Sequence, residues 1–219
     1  MTLANILKCE TLLLFRNPQS WLQGLLFFTL VIFILSFVLA AKQQDYHLLL
    51  PLYIWLSALL AQLLAIDNLY KQDYVDGSLD LILLSEELPL LVIGKILPHL
   101  LFNLIPLLIL TLILSLMWQF SVELTVVLLA SLALGMPILF LLGSIGAALT
   151  VSVKSSSVLT GIILLPFYVP ALLFAVSAVQ NSALGLPWQG SMALLAANFI
   201  LIFLLAPFAS AGILKVTAG

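Results

Sequence analysis

The chain has 219 residues, of which 64% are hydrophobic and only 7% are charged, against about 25% charged residues in an ordinary soluble domain. This composition excludes a soluble globular protein and indicates an integral membrane protein. The formal net charge of −2 gives no sign of nucleic-acid binding. The single cysteine, Cys9, excludes an intramolecular disulfide and fits no metal-site spacing. We therefore expect one transmembrane domain over residues 1–219.

The N-terminal segment, residues 2–16, precedes the first long apolar run. Its apolar residues fall near one face of a helix: Leu3, Ile6, Leu7 and Leu14. Asn17 and Pro18 then break the helix. The pattern favours an amphipathic helix lying at the membrane surface. The alternative is a frayed tail next to the membrane.

Six apolar runs are long enough to cross the hydrocarbon core, which takes about 20 residues of helix. They are predicted at roughly Trp21–Ala41, Leu48–Ile66, Leu90–Trp118, Leu124–Val153, Val158–Val179 and Met192–Leu214. The fold class is therefore an all-α integral membrane protein with six transmembrane helices.

The lysines and arginines predict the orientation of these spans. The even-numbered loops and both tails carry Lys8, Arg16, Lys71, Lys95, Lys154 and Lys215, whereas the odd-numbered loops carry only Lys42. Cytoplasmic loops are the ones enriched in basic residues. Both termini of the multi-pass protein are therefore predicted to be cytoplasmic.

The predicted spans lack a buried charge, since Asp67 and Lys95 fall at span ends where side chains can reach the interface. Ion-coupled carriers usually need an intramembrane carboxylate, so a secondary transporter or channel is disfavoured. An intramembrane enzyme using Ser144 and His99 as nucleophile and base is the alternative class. The residues around Ser144 do not form a nucleophile elbow. We expect no enzymatic activity of the chain's own.

Prolines and small residues recur within the spans. The intramembrane prolines, either hinges or static kinks, are Pro98, Pro106, Pro137, Pro166, Pro170 and Pro207. The small residues of Gly143–Ala148 allow close approach between helices, and packing within the chain is favoured over dimer contact.

The segment Asp67–Lys95 is the longest charged interval and holds six of the nine acidic residues: Asp67, Asp73, Asp76, Asp80, Glu86 and Glu87. Gly77 is suited to a helix stop with positive φ. Ser78 can cap a following helix. Asp80 falls in the first turn of that helix, where the helix dipole favours an anion. That helix carries Leu79, Leu83 and Leu84. It is predicted either to insert into a groove on a partner protein or to lie among lipid headgroups.

Nucleotide and haem sites are not evident in the residues. The pair Gly94-Lys95 lacks the other residues of a phosphate-binding loop. His47 and His99 are the strongest candidates for haem-iron ligands. A solvated loop position for His47 and a packing role for His99 are the simpler interpretations. No resident cofactor or metal is expected.

Several motifs resemble a known family. The first is Asp73-x-x-Asp76-Gly77-Ser78-Leu79-Asp80-x-x-x-Leu84-Ser85 followed by Gly94-Lys95, which is similar to the coupling-helix region of type-2 ABC exporter permeases. Further segments resemble the haem exporter protein B family of bacterial cytochrome c maturation: Ile54–Leu60, Leu134–Pro137, Gly146–Val151, Leu164–Pro166 and Pro207–Ala209. The resemblance covers nearly the whole chain.

The resemblance implies a homodimeric permease of the bacterial inner (plasma) membrane. It pairs with a separate ABC ATPase subunit, which binds the ATP. The resemblance also implies haem-handling membrane subunits and a periplasmic haem chaperone as partners. As a membrane protein, the chain is also expected to contact lipid. ATP hydrolysis would drive either haem export or release of the haem-loaded chaperone. The residues expected to couple to the ATPase are Asp73, Asp76, Gly77, Ser78, Leu79, Asp80, Leu83, Leu84 and Lys154. Glu86 and Glu87 depart from related permeases, which often have proline there.

Overall fold

A computed structural model of the protein describes residues 3–42, 46–66, 69–79, 88–152 and 156–217. The helices in these ranges are α1 Leu3–Arg16, α2 Gln19–Lys42, α3 Tyr46–Ile66, α4 Lys71–Asp76, α5 Leu88–Met117, α6 Val122–Leu149, α7 Ser156–Ala183 and α8 Gln189–Thr217. None of the described residues lies in a strand. The all-α fold class is therefore confirmed.

Six of these helices are long and apolar enough to cross a membrane: α2, α3, α5, α6, α7 and α8. The six predicted spans are thereby confirmed, although each begins a few residues earlier than predicted. The predicted fifth span, for example, began at Val158, whereas α7 begins at Ser156 and runs to Ala183. Helix α6 ends at Leu149 rather than near the predicted Val153. Internal prolines do not end these helices, since α5 continues through Pro98 and Pro106.

Helix α6 is the centre of the bundle and packs against α3, α5, α7 and α8. A notch at Gly135 receives the indole ring of Trp55, because a Cβ added to Gly135 would lie 2.2 Å from the Trp55 ring. The Trp55 Nε1 atom donates a hydrogen bond of 2.9 Å to the Ser131 hydroxyl, one helical turn before the notch. Trp55 is fully buried, so α3 is held against α6 at a single rotational setting.

The small residues of α6 serve packing within the chain, as predicted. A Cβ added to Gly143 would lie 2.6 Å from the Ile66 side chain, and one added to Gly146 would lie 2.8 Å from the Leu164 side chain. The Thr217 hydroxyl reaches the Ala148 carbonyl oxygen at 3.1 Å. These contacts bring α3, α7 and α8 close to the second half of α6.

The outer surface of the bundle is apolar. Its large exposed side chains include Leu30, Phe33 and Phe37 of α2, Ile105, Ile109 and Ile113 of α5, and Leu201, Leu204 and Phe208 of α8. An apolar cavity of about 300 Å³ opens between α2 and α5, with Ile32, Phe37, Leu110 and Trp118 among its walls. A surface of this kind suits contact with lipid chains.

Helix α1 lies against α5, which confirms the predicted N-terminal helix. Its buried face is formed by Ile6, Glu10 and Leu14, at four-residue spacing. At the end of α1, the Phe15 ring meets the Phe102 ring of α5 edge-on, with centroids 4.9 Å apart. The helix is thus packed on the bundle along most of its length.

The two ends of the bundle differ in character. The α1 end carries α1, α4 and the beginning of α5. At the opposite end, Ser121 caps α6 by accepting a hydrogen bond from the Leu124 N–H. There the Trp188 Nε1 atom also donates to the Glu123 carboxylate at 2.8 Å. This bond ties the beginnings of α6 and α8 together.

Candidate coupling site

The short helix α4 projects at the α1 end of the bundle and stops at a left-handed turn. Gly77 has φ 72° and ψ 4°, and its N–H bonds to the Tyr74 carbonyl oxygen. This geometry confirms the predicted positive φ of Gly77. A Cβ at Gly77 would meet nothing within 4 Å, so only its backbone conformation disfavours other residues.

The projection is anchored on both sides by buried residues. Leu69 and Tyr70 precede α4, and Leu79 follows the turn, each with at most 2% of its surface exposed. All three belong to an apolar cluster with Leu88 and Val92 of α5. The Ser78 hydroxyl points back to the Asp73 carbonyl oxygen at 3.4 Å, so its described bond is to the preceding helix.

The outer face of α4 is both apolar and acidic. Val75 is 78% exposed and Tyr74 is 41% exposed, and Gln72 and Asp76 are also exposed. This face therefore offers both apolar surface and a carboxylate.

A buried charge cluster lies directly under α4. The Lys95 ammonium of α5 meets the Glu10 carboxylate of α1 at 2.8 Å and forms a second ion pair with the Asp73 carboxylate of α4. The other oxygen of Glu10 lies 3.3 Å from His99 Nε2. The Lys95 side chain is 8% exposed, that of Glu10 11% and that of Asp73 18%. One lysine therefore joins three helices.

The protonation of Glu10 follows from these contacts. Burial by itself would raise the pKa of the Glu10 carboxyl, but the bond to His99 and the Lys95 ammonium outweigh it, so the pKa lies below its ordinary value. Glu10 is therefore an anion at neutral pH. Two carboxylates share the single lysine cation.

The sequence-based interpretation of Lys95 as a side chain that reaches the interface is wrong. Lys95 is buried and paired on two sides. Glu10 and Asp73 replace the water that an isolated ammonium would need. Asp73 and Leu79, two of the predicted coupling residues, face inward. Within α4, the exposed coupling candidate is Asp76.

The structure does not bring Ser144 and His99 together as a catalytic pair. The Ser144 hydroxyl lies 2.7 Å from the Leu141 carbonyl oxygen and 3.0 Å from the Ser210 hydroxyl, whereas His99 faces Glu10. The buried Tyr70 hydroxyl lies near Ser144 and Ser210, although neither contact has hydrogen-bond geometry. These contacts join α6 to α8, and they do not activate the Ser144 hydroxyl as a nucleophile.

Several predicted residues lie outside the described part of the chain: Asp80, Leu83, Leu84 and Lys154. The described residues contain no group of three histidine, cysteine or acidic side chains that could hold a metal ion. His47 falls in the first turn of α3, and the placement of its side chain is not described. The roles of all these residues stay predictions.

Sequence reasoning missed Glu10 and Tyr70, and it did not assign Lys95 to the site. The sequence did contain one signal for this charge cluster. Glu10 stands four residues after Ile6 and four before Leu14, on the apolar face of its helix. A carboxylate at such a position predicts a buried cation as partner. The sequence does not say which lysine supplies it.

Known proteins resemble this chain along nearly its whole length. Residues 1–217 match the family described as CcmB protein. The chain belongs to the CcmB family. Its curated relatives include the heme exporter protein B of Pseudomonas aeruginosa, 39% identical over 215 residues, which are 98% of this chain and 96% of the relative. That of Haemophilus influenzae is 33% identical over 218 residues, 99% of each chain. That of Escherichia coli is 35% identical over 213 residues, 97% of each chain.

Proposed function

We propose that this chain is the permease subunit of an ABC transporter complex acting in bacterial cytochrome c maturation. A separate ATPase subunit binds and hydrolyses ATP, and the permease couples that hydrolysis to haem export or to release of a haem-loaded periplasmic chaperone. The proposal rests on the end-to-end similarity to relatives named heme exporter protein B. The six apolar spans fit such a subunit.

The α1 end is proposed to face the cytoplasm. It carries Lys8, Arg16, Lys71, Lys95 and Lys215, whereas the opposite end carries Lys42. Cytoplasmic ends of membrane helices are enriched in lysine and arginine. With an even number of spans, both termini are then cytoplasmic. Glu123 and Trp188 lie at the periplasmic end.

The ATPase is proposed to dock on the α4 projection and on the segment that follows Gly77. The exposed Val75, Tyr74 and Asp76 offer an apolar and acidic surface. Nucleotide-driven closure of the ATPase pair would push this projection, and the spans would follow. The chain itself performs no chemistry in this proposal, and haem is a handled ligand rather than a resident cofactor.

The complex is proposed to hold two copies of this chain and two ATPase chains, together with haem-handling membrane subunits. Each chain supplies one permease half, so a second copy completes the transporter. The test is the native mass of the complex purified from membranes. A mass with two copies of each subunit supports the proposal. One copy of this chain, or no ATPase, contradicts it.

A further inference from the structure

The three helices joined by Lys95 come from separate parts of the chain. Glu10 lies before the first span and Asp73 after the second, and Lys95 lies eight residues into α5, which begins at Leu88. The Lys95–Glu10 contact spans 85 positions of sequence. A displacement of α4 at Asp73 therefore acts through one ammonium group on both α5 and α1.

The side chains around this charge cluster are closely packed. A cavity of about 10 Å³ remains among Tyr70, Leu79, Lys95 and the neighbouring side chains of α1 and α8, which is room for one water at most. Tyr70 and Leu79, the anchors on either side of α4, are each 1% exposed. Close-packed interiors transmit strain rather than absorb it.

The outer surface of α4 has no such anchoring. None of the residues of α4 counts as buried, and Val75 and Tyr74 face outward. The ion pair of Asp73 thus joins the exposed docking face to the bundle. If an ATPase presses on that face, the ion pair lies in the direct line from the contact to the spans.

We propose that Lys95 is a positioning residue for coupling, which fixes the docking projection to α5 and α1 so that these three elements move together. This proposal rests on the proposed function of the chain as an ATPase-coupled permease. It assigns Lys95 and Glu10 to transmission of the movement and not to contact with the ATPase. It also gives α1 a part in the cycle beyond lying at the membrane surface.

The test uses the chain's only cysteine, Cys9, which is exposed on α1 next to Glu10. The full chain is labelled at Cys9 with a fluorescent or spin probe and reconstituted in lipid with unlabelled ATPase and partner subunits. The probe signal is compared with and without a nonhydrolysable ATP analogue. In the unsubstituted complex we expect a nucleotide-dependent change. If the ATPase is bound and the probe does not respond, the proposal is overturned.

The decisive variant is Lys95→Met, which keeps an unbranched side chain, one atom shorter than that of lysine, and removes the charge. We expect ATPase recovery within twofold of the unsubstituted complex and at least a fivefold smaller probe response. Lys95→Arg should restore more than half of the response, because a guanidinium can hold both carboxylates. Lys8→Met removes an exposed lysine from α1, the helix that carries the probe, and should leave the response unchanged. A full response from Lys95→Met would overturn the proposal.

Lys95→Met leaves two buried carboxylates without their cation, so the variant could fail to accumulate. The neutral triple variant Glu10→Gln, Asp73→Asn, Lys95→Met removes that problem and is judged by the same measurements. Loss of ATPase from this variant would make the cluster part of the docking surface and would overturn the proposal. Failure of the unsubstituted complex to retain ATPase would instead contradict the proposed function itself, so the two failures are distinguishable.

Discussion

Gly77 offers the sharpest test of the coupling segment, because its requirement is purely conformational. Its φ of 72° lies in the left-handed region, and a Cβ placed there meets nothing within 4 Å. A side chain therefore costs only the left-handed backbone penalty, on the order of 1–2 kcal/mol. A penalty of that size lowers the population of the native turn roughly five- to thirtyfold. Gly77→Val should fall at the upper end, since β-branched residues are the least tolerant of positive φ.

The expected result is misdirection of the docking projection without unfolding of the spans. Gly77→Val should reach the membrane at normal levels and recover at least fivefold less ATPase, or recover an ATPase that no longer supports cytochrome c maturation. Gly77→Asn should retain most of the function, because asparagine tolerates the left-handed region. The measurements are a pull-down of the ATPase and the yield of matured cytochrome c from the same cells.

Gly185 provides a matched control. It has φ 69° and equally empty surroundings, but it lies between α7 and α8 at the opposite end of the bundle. Gly185→Val therefore carries a similar backbone cost and should leave ATPase recovery unchanged. Normal ATPase binding and full maturation with Gly77→Val would refute the coupling role of the segment. An equal loss from both variants would point to general destabilisation.

Three further predictions concern other contacts. Gly135→Leu should destabilise the bundle by about 1–3 kcal/mol or more, seen as a lower melting temperature in detergent, because even its Cβ overlaps the Trp55 ring; an unchanged melting temperature would contradict the notch. Glu10→Gln should lower stability at neutral pH by about 1–3 kcal/mol. Because the pKa of Glu10 is lowered from its ordinary 4.5, the wild-type advantage should persist above that value and vanish as the pH falls through the lowered pKa; an advantage independent of pH would refute this. The double variant His47→Ala, His99→Ala should keep more than half of cytochrome c maturation, since Lys95 still holds Glu10; loss of maturation and of bound haem at normal protein levels would make these histidines ligands.

The spans could be predicted from the sequence because each is set by local composition. An apolar run of sufficient length must form a helix across the bilayer, whatever its neighbours are. Gly77 was predictable for the same reason, since a left-handed helix stop is a local property. The starts of α5 and α7 lie earlier than predicted, at Leu88 and Ser156, because helices continue past the apolar core into the interface.

The charge cluster could not be predicted in the same way. Whether Lys95 reaches the interface or turns inward depends on Glu10, which lies 85 residues earlier and on a different helix. Asp73 was predicted to couple to the ATPase because it opens the motif that resembles a coupling-helix region. Only the packing of α1 and α4 on α5 shows that its carboxylate serves an internal cation.

The contact between Trp55 and α6 also bears on how the chain is made. Trp55 finds its hydrogen-bond partner, Ser131, 76 residues later in the sequence, and the glycine notch follows four residues after that. At about 5–20 residues per second, the ribosome needs roughly 4–15 s to supply them. During that interval α3 resides in the bilayer with an indole N–H that has no partner on α6. The first half of the protein therefore cannot complete its packing until α6 has been made. A defect at Gly135 should first appear during biogenesis, as degradation of the partly assembled chain by membrane proteases.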